Sequence, residues 1–291
     1  MTRHTLLLLP LVALAAAPVR ADPAPPTAAE AAKRYPWTRT APTYESLATR
    51  YPPPAGFTRV AAAAGSYADW LRHLPLRAPG TPVRRYDGTE LDYATAVADA
   101  VVDLDVARED LQQCMDTLIR LRGEYHWQRG APNAARFPYA GGRTFGFAEW
   151  RQGIRPVQQG RVVTYERRAG ADGSRAGFLR YLRFMFAMTG TVHALSEPRV
   201  AFAQVQAGDF FVQPAASATA LGHAVTVLDL ARSASGEVRA LLGEGYTPAM
   251  DMHVLKAPGG GAWYKLDGQA GVQTPLWTAP FQWSELRRFR N

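Results

Sequence analysis

Cys114, His223 and Glu244 are the residues whose types and order suit chemistry. Cys114 is the only cysteine of the chain. A catalytic thiol needs an imidazole to take its proton and a third group to orient that ring. The stretch 220–246, ALGHAVTVLDLARSASGEVRALLGEGY, reads as two strands joined by a turn over Ala231–Gly236. His223, Val225, Val227 and Asp229 share one face of the first strand, because side chains alternate along it. If Leu230 pairs with Glu237, antiparallel counting sets Glu244 opposite His223, and a one-residue slip would reverse the face. A histidine beside a carboxylate is an oriented base. Gln113, or a backbone amide near the start of the cysteine-bearing helix, is the candidate donor to an oxyanion. Each residue also has a plainer reading. Cys114 fits a buried apolar stripe, His223 a strand end with a backbone partner, and Glu244 a solvated loop.

Other chemistry is less well supplied. Asp251-x-His253 places two ligand types on one side of an extended segment, and His223, Asp229 and Glu244 are further candidate ligands. Neither HExxH nor CxxC spacing occurs. His223 and Asp229 lie about 20 Å apart along one strand, too far to share an ion. The expectation is therefore no metal and no cofactor. No G-x-S-x-G elbow supports a serine nucleophile. The seven tryptophans and twelve tyrosines can line a glycan cleft or simply pack the core.

The first residues bear on compartment. A basic start at Thr2-Arg3-His4, an apolar run from Leu6 to Ala17 and small residues at Val19-Arg20-Ala21 read as a signal peptide over 1–21. The run is too short to span a membrane. A secreted or periplasmic protein follows from this reading. Its net charge of +8 includes the signal's Arg3 and Arg20, leaving +6. That favours anionic envelope material. The positive charges are scattered, which argues against nucleic acid. A lone cysteine excludes an internal disulfide. With 47% hydrophobic and 20% charged residues, the remainder suits a globular protein. Residues 22–41 read as a disordered Pro/Ala-rich leader and 42–291 as one domain.

The elements that would hold the three residues can be read from periodicity. Leu111, Cys114, Met115, Leu118, Ile119, Leu121 and Tyr125 recur at helical spacing, predicting a helix over 111–127. With Asp110 as N-cap the thiol lies in the first turn, near the positive end of the helix dipole; with Asp105 it lies two turns in. Short helices are expected over 43–50, over 67–73 behind Ser66, and over 284–289, with a long one over 174–195. Strands are expected over 82–86, 200–205, 210–213, 252–255 and 263–266, and 97–105 reads as a buried strand or a helix segment, with strand preferred.

Several stretches resemble the family called domain of unknown function 4846, a family of exported bacterial proteins. They are Leu74-Pro75-Leu76 with Tyr86-Asp87-Gly88; Val101 to Val106; Asp110 to Cys114 running into Ile119-Arg120-Leu121-Arg122; Gly208 to Val212; Gly222-His223-Ala224-Val225; and His253 to Lys256. A weaker resemblance joins Gly208-Asp209-Phe210-Phe211-Val212 and Gly222-His223-Ala224-Val225-Thr226-Val227 to the cell-wall cysteine peptidases of NlpC and CHAP type. That resemblance implies a papain-like fold with Cys114 as nucleophile, His223 as base and Glu244 orienting it. Those peptidases place the cysteine at the very start of its helix, whereas the periodicity here sets Cys114 deeper. The expectation is an α+β protein whose antiparallel, papain-like sheet packs on the Cys114 helix. It would hydrolyse amides of cell-wall peptides. The alternative is a non-catalytic envelope protein binding glycan or peptide on the same scaffold.

Overall fold

The computed structural model describes residues 24–37, 44–217 and 220–290. The signal-peptide expectation for 1–21 lies outside them. Part of the stretch expected to be a disordered leader is instead helix α1, Ala28–Arg34. Thr27 caps it, and Ala31 and Tyr35 are buried in the core. Ser46 and Ser66 cap the next two helices, α2 at Leu47–Arg50 and α3 at Tyr67–Arg72. Between them runs β1, Phe57–Arg59. Helix α4, Asp92–Val97, leads straight into β2, Ala98–Val101. The long helix α5, Cys114–Gln128, follows. Two small hairpins come next: β3, Arg136–Pro138, with β4, Thr144–Gly146, and β5, Ile154–Gln159, with β6, Val162–Arg167. Helix α6, Phe147–Trp150, lies between the hairpins. Helices α7, Arg175–Met188, and α8, Thr191–Ala194, then precede the central sheet strands. These are β7, Phe210–Gln213; β8, His223–Ser233; β9, Val238–Glu244; β10, His253–Leu255; β11, Trp263–Leu266; and β12, Leu286–Arg287.

The fold is α+β with antiparallel sheets. The main sheet runs β12-β7-β8-β9-β10-β2, with β1 added to the far half of β8 and β11 to the far half of β9. The long β8–β9 ribbon is its axis. Alternation assigns the ribbon's side chains to two faces. Ala224, Leu228 and Leu241 pack in the clusters that also take Met115, Leu118, Ile119, Leu121 and Tyr125 of α5. Val225, Val227, Leu230, Ala240 and Leu242 pack on the other side with Phe211, Phe281 and Leu286. Helix α5 thus lies on one face of the sheet and is braced from behind by Phe178, Tyr181 and Leu182 of α7.

Several expectations need correction. No helix forms over 111–113, so Cys114 is the first residue of α5 rather than a residue inside it. Pro82–Tyr86 is no strand; Arg84 and Arg85 form only isolated bridges, to Glu90 and Met250. Val200 and Val205 are buried as two anchors, with a 3-10 turn at Phe202–Gln204 between them in place of a strand. The expected closing helix over 284–289 is a 3-10 turn followed by β12, which pairs with the outer edge of β7. The expected helix over 174–195 breaks at Thr189–Gly190 into α7 and α8.

Candidate functional site

The site is built where α5 begins and β8 begins. Asp116, at the third position of α5, reaches back and accepts the backbone N–H of Gln113 at 3.1 Å. That carboxylate satisfies a donor the helix cannot, and it fixes the first turn at Cys114. Neither Asp105 nor Asp110 is the N-cap; Gln113 is. Asp110 instead accepts Gln113 Nε2 at 3.0 Å and the Ala249 N–H at 2.7 Å, tying the turn before α5 to the loop after β9. The Gln113 side chain is committed a second time, its Oε1 accepting the Thr247 hydroxyl at 3.1 Å. Both the nitrogen and the oxygen of that amide are therefore engaged.

Two glycines let the pieces approach. A Cβ on Gly222 would sit 2.0 Å from Thr191 Oγ1 and 2.7 Å from the Gln213 carbonyl oxygen. A Cβ on Gly245 would sit 2.4 Å from Thr117 Oγ1. The first closeness sets the start of β8 against α8, and the second sets the end of β9 against the first turns of α5. Gly222→Ala is expected to push the His223 backbone outward and to cost about 1–3 kcal/mol, as overpacking does. Urea denaturation of that variant beside the wild type measures it.

His223 is the first residue of β8 and is 2% exposed. Its Nε2 donates to Glu244 Oε2 at 2.9 Å. The pairing that brings them together is not the one counted from the sequence. Leu230 pairs with Ala240, not Glu237, and a bulge between Val227 and Asp229 shifts the register before Thr226 meets Gly243. Glu244 then falls diagonally from His223 on the same face, within reach of a long side chain.

The Cys114 thiol donates to the carbonyl oxygen of Gly222, the residue before His223, at 3.9 Å. Burial opposes charge on the imidazole, but Cys114 and Glu244 outweigh it and raise the His223 pKa to about 9. The ring is thus protonated at neutral pH. Tyr246, Trp277 and Phe281 close around it, with ring centroids 4.8, 5.0 and 5.9 Å away. Burial also works against the Glu244 carboxylate. The two histidines beside it prevail and hold its pKa below the usual range.

The second histidine is His253. On the sequence it is a candidate metal ligand beside Asp251; in the fold it faces Glu244 from β10, paired with it across the sheet. Its Nε2 lies 3.6 Å from Glu244 Oε1, while Nδ1 lies 3.0 Å from the Asp251 carbonyl oxygen and donates to it. Glu244 therefore sits between two imidazoles. The other candidate ligands lie elsewhere. Asp251 is held by Arg77 at 2.9 Å, and Asp229 by Arg72 at 3.0 Å and by Arg59. Among the described residues, no group of three or more His, Cys, Asp and Glu side chains is placed to hold a metal ion.

A cleft of about 260 Å³ opens at the helix start, lined by Gln113, Cys114 and Asp116 on one side and by Gly190, Thr191 and Gly222 on the other. A larger groove of about 1140 Å³ contains Arg50, Arg77, Arg84 and Arg85. Each of these four is ion-paired with a carboxylate, namely Glu45, Asp251, Glu90 and Asp87, while Arg108 also lines the groove. Asp116 was not legible as a site residue. Its signal is an acidic side chain on the apolar stripe of a helix that starts at a cysteine.

A thiol at a helix N-terminus, an imidazole at a strand start and a carboxylate one strand over define an α+β chain with a buried Cys–His–Glu array. The chain belongs to the family described as Domain of unknown function (4846), which matches residues 47–288 and so takes in every residue of the array. No curated protein and no solved structure matches it. Among the described residues no helix is long and apolar enough to cross a membrane.

Proposed function

We propose that this chain is a papain-like cysteine hydrolase of amide bonds in the cell envelope, acting on peptides of the cell wall in a secreted or periplasmic setting. The observation that carries the reading is Cys114 at the first residue of α5, beside a His223 that Glu244 holds through Nε2. That contact leaves Nδ1 as the ring nitrogen for the thiol. In the reaction, the Cys114 sulfur attacks the scissile carbonyl carbon as a thiolate, and the Cys114 N–H receives the oxyanion. The His223 imidazolium gives its proton to the leaving nitrogen, and the C–N bond breaks to leave a thioester. Water then attacks the thioester as His223 takes its proton, the C–S bond breaks to release the carboxylic acid, and the thiolate and imidazolium are restored. Glu244 keeps the ring in one tautomer and stabilises its charge. The protonated state of His223 at neutral pH supports its role as the acid of the first half-reaction.

The test is release of new amino groups from purified peptidoglycan fragments, wild type beside Cys114→Ser. Turnover that falls by about 10⁴-fold or more in the variant is the expected result, since triad members act as a unit. Turnover unchanged in Cys114→Ser sinks the proposal. One observation favours the non-catalytic reading: Cys114 is only 5% exposed. A binding protein on the same scaffold would keep its ligand in Cys114→Ser and have no turnover to lose.

A further inference from the structure

A second cavity, of about 480 Å³, lies between the chain just after β1 and the turn before β7. Its described lining carries three guanidiniums, those of Arg72, Arg122 and Arg288, and one carboxylate, Asp229. Asp229 is fully buried and is shared by Arg72, at 3.0 Å, and Arg59. Arg288 is gripped by the buried Asp209, with Nε and Nη2 at 2.6 and 2.9 Å from its two oxygens. Four arginines thus meet two carboxylates, which leaves an excess of positive charge around the cavity. Arg122 stands eight residues beyond Cys114 on α5, about 12 Å along the helix, so this cavity is apart from the Cys114 cleft. Its guanidinium lies over two tyrosine rings, 4.6 Å from the centroid of Tyr67 and 5.3 Å from that of Tyr125. Such stacking holds the planar fork in one orientation. The side chain is half-buried, with part of it facing the cavity. Burial lowers its pKa from the ordinary arginine value; of the charged groups nearby, Arg129 acts with burial and Glu197 against it. Arg122 is therefore a cation whose desolvation the surrounding protein does not fully offset.

We propose that this cavity is a second ligand site, in which Arg122 binds the oxyanion group of a small organic anion. The guanidinium fork presents N–H donors in the geometry that a carboxylate or a phosphate accepts. The walls leave room for such a ligand. Ala61, Ala62 and Ala63 on one side and Ala203 and Ala207 on the other carry no long side chain, so an anion approaches Arg122 without displacing one. The chemistry is hydrogen bonding and charge pairing only, and no bond is made or broken. The arriving anion offsets both the local excess of positive charge and the desolvation of Arg122. Two sources share this chemistry, a carboxylate and a phosphate group.

The site goes beyond the hydrolase reading, and its test involves no turnover, so either can fail alone. The wild-type protein is titrated at pH 7 with acetate for the carboxylate and with inorganic phosphate for the phosphate group. Ionic strength is held constant, and chloride is the control anion. Binding is read from the backbone amide shifts of Ala63, Ala203 and Gly208, which line the cavity. At least one of the two oxyanions is expected to give saturable shifts centred on these residues, and the tighter one identifies the source. Affinity should fall at least tenfold in Arg122→Gln, which removes the charge and the fork. It should fall as far in Ala62→Glu, which brings a carboxylate to the cavity from a loop. That loop variant decides the matter should Arg122→Gln fail to fold. No saturable shift with either oxyanion, equal shifts with chloride, or undiminished binding in both variants overturns the proposal.

Discussion

Glu244→Ala is expected to destabilise the protein by about 3–5 kcal/mol, the range for breaking a buried ion pair from one side. The carboxylate is fully buried between His223 and His253, with its two oxygens 2.9 and 3.6 Å from their Nε2 atoms. Removing it leaves the His223 charge in a cage of Tyr246, Trp277 and Phe281 with no anion on that side. The ring escapes by losing its proton. Its pKa, raised to about 9 in the wild type by Cys114 and by Glu244, should therefore drop in Glu244→Ala and in Glu244→Gln. Titration of the histidine ring signals by NMR checks this directly.

The signs of the pH dependence follow from the two shifts. The raised His223 contributes stability that is fully present below pH 6.5 and is lost as pH rises to about 9. A shift of that size corresponds to about 3 kcal/mol. The lowered Glu244 contributes stability that is present above its ordinary 4.5 and is lost as pH falls through its folded value. The gap in unfolding free energy between wild type and Glu244→Gln should therefore be widest from pH 4.5 to 6.5 and narrow on both sides. A gap that is flat from pH 5 to 9 would mean that His223 takes little of its charge stability from Glu244.

How the sequence presents this site explains what was legible in it. The hairpin, its face and its long partner helix could be read because each rests on a strong local period. The counted register was wrong, since β8 runs on through Ser233 and the bulge at Val227/Asp229 adds an irregularity that no pattern announces. His223 and Glu244 still meet, because the end of β9 lands on the matching face. The helix start was misread for a different reason. Leu111 continues the apolar spacing of Cys114, Leu118 and Tyr125, so periodicity alone extends the helix backwards. Two long-range bonds, Ala249 N–H to Asp110 and the Thr247 hydroxyl to Gln113, together with the Asp116 carboxylate reaching back to Gln113, stop it at Cys114. Tertiary contacts likewise overrode local preference at Leu286 and Phe289. Their spacing suggests a helix, but the free edge of β7 was available and took Leu286–Arg287 as a strand. On the sequence alone His253 reads as a candidate ligand for a metal. Only the sheet order, with β10 beside β9, turns it toward Glu244.

The start of α5 at Cys114 changes what is expected of the thiol. A cysteine two turns inside a helix, on its apolar stripe, would react only when the protein unfolds. Here the sulfur lies at the open end of a 15-residue helix, beside the His223 ring and at the wall of the cleft. Iodoacetamide should therefore alkylate Cys114 in the folded protein below pH 7.5, where a free thiol of reference pKa about 8.5 is mostly unreactive. His223→Ala should lower that rate at pH 6 by at least about tenfold, since the imidazolium that favours the thiolate is gone. Glu244→Gln should lower it less, because the ring remains but loses its anchor. The measurement is the pseudo-first-order rate from pH 5 to 9, followed by mass spectrometry, with folding of each variant checked by circular dichroism. A folded wild type that is inert throughout this range would place Cys114 among buried, structural thiols and turn the reading toward a binding protein. Fast alkylation that survives His223→Ala would separate the thiol's reactivity from the imidazole. The helix N-terminus alone would then have to account for it, and the acid–base role of His223 would fall.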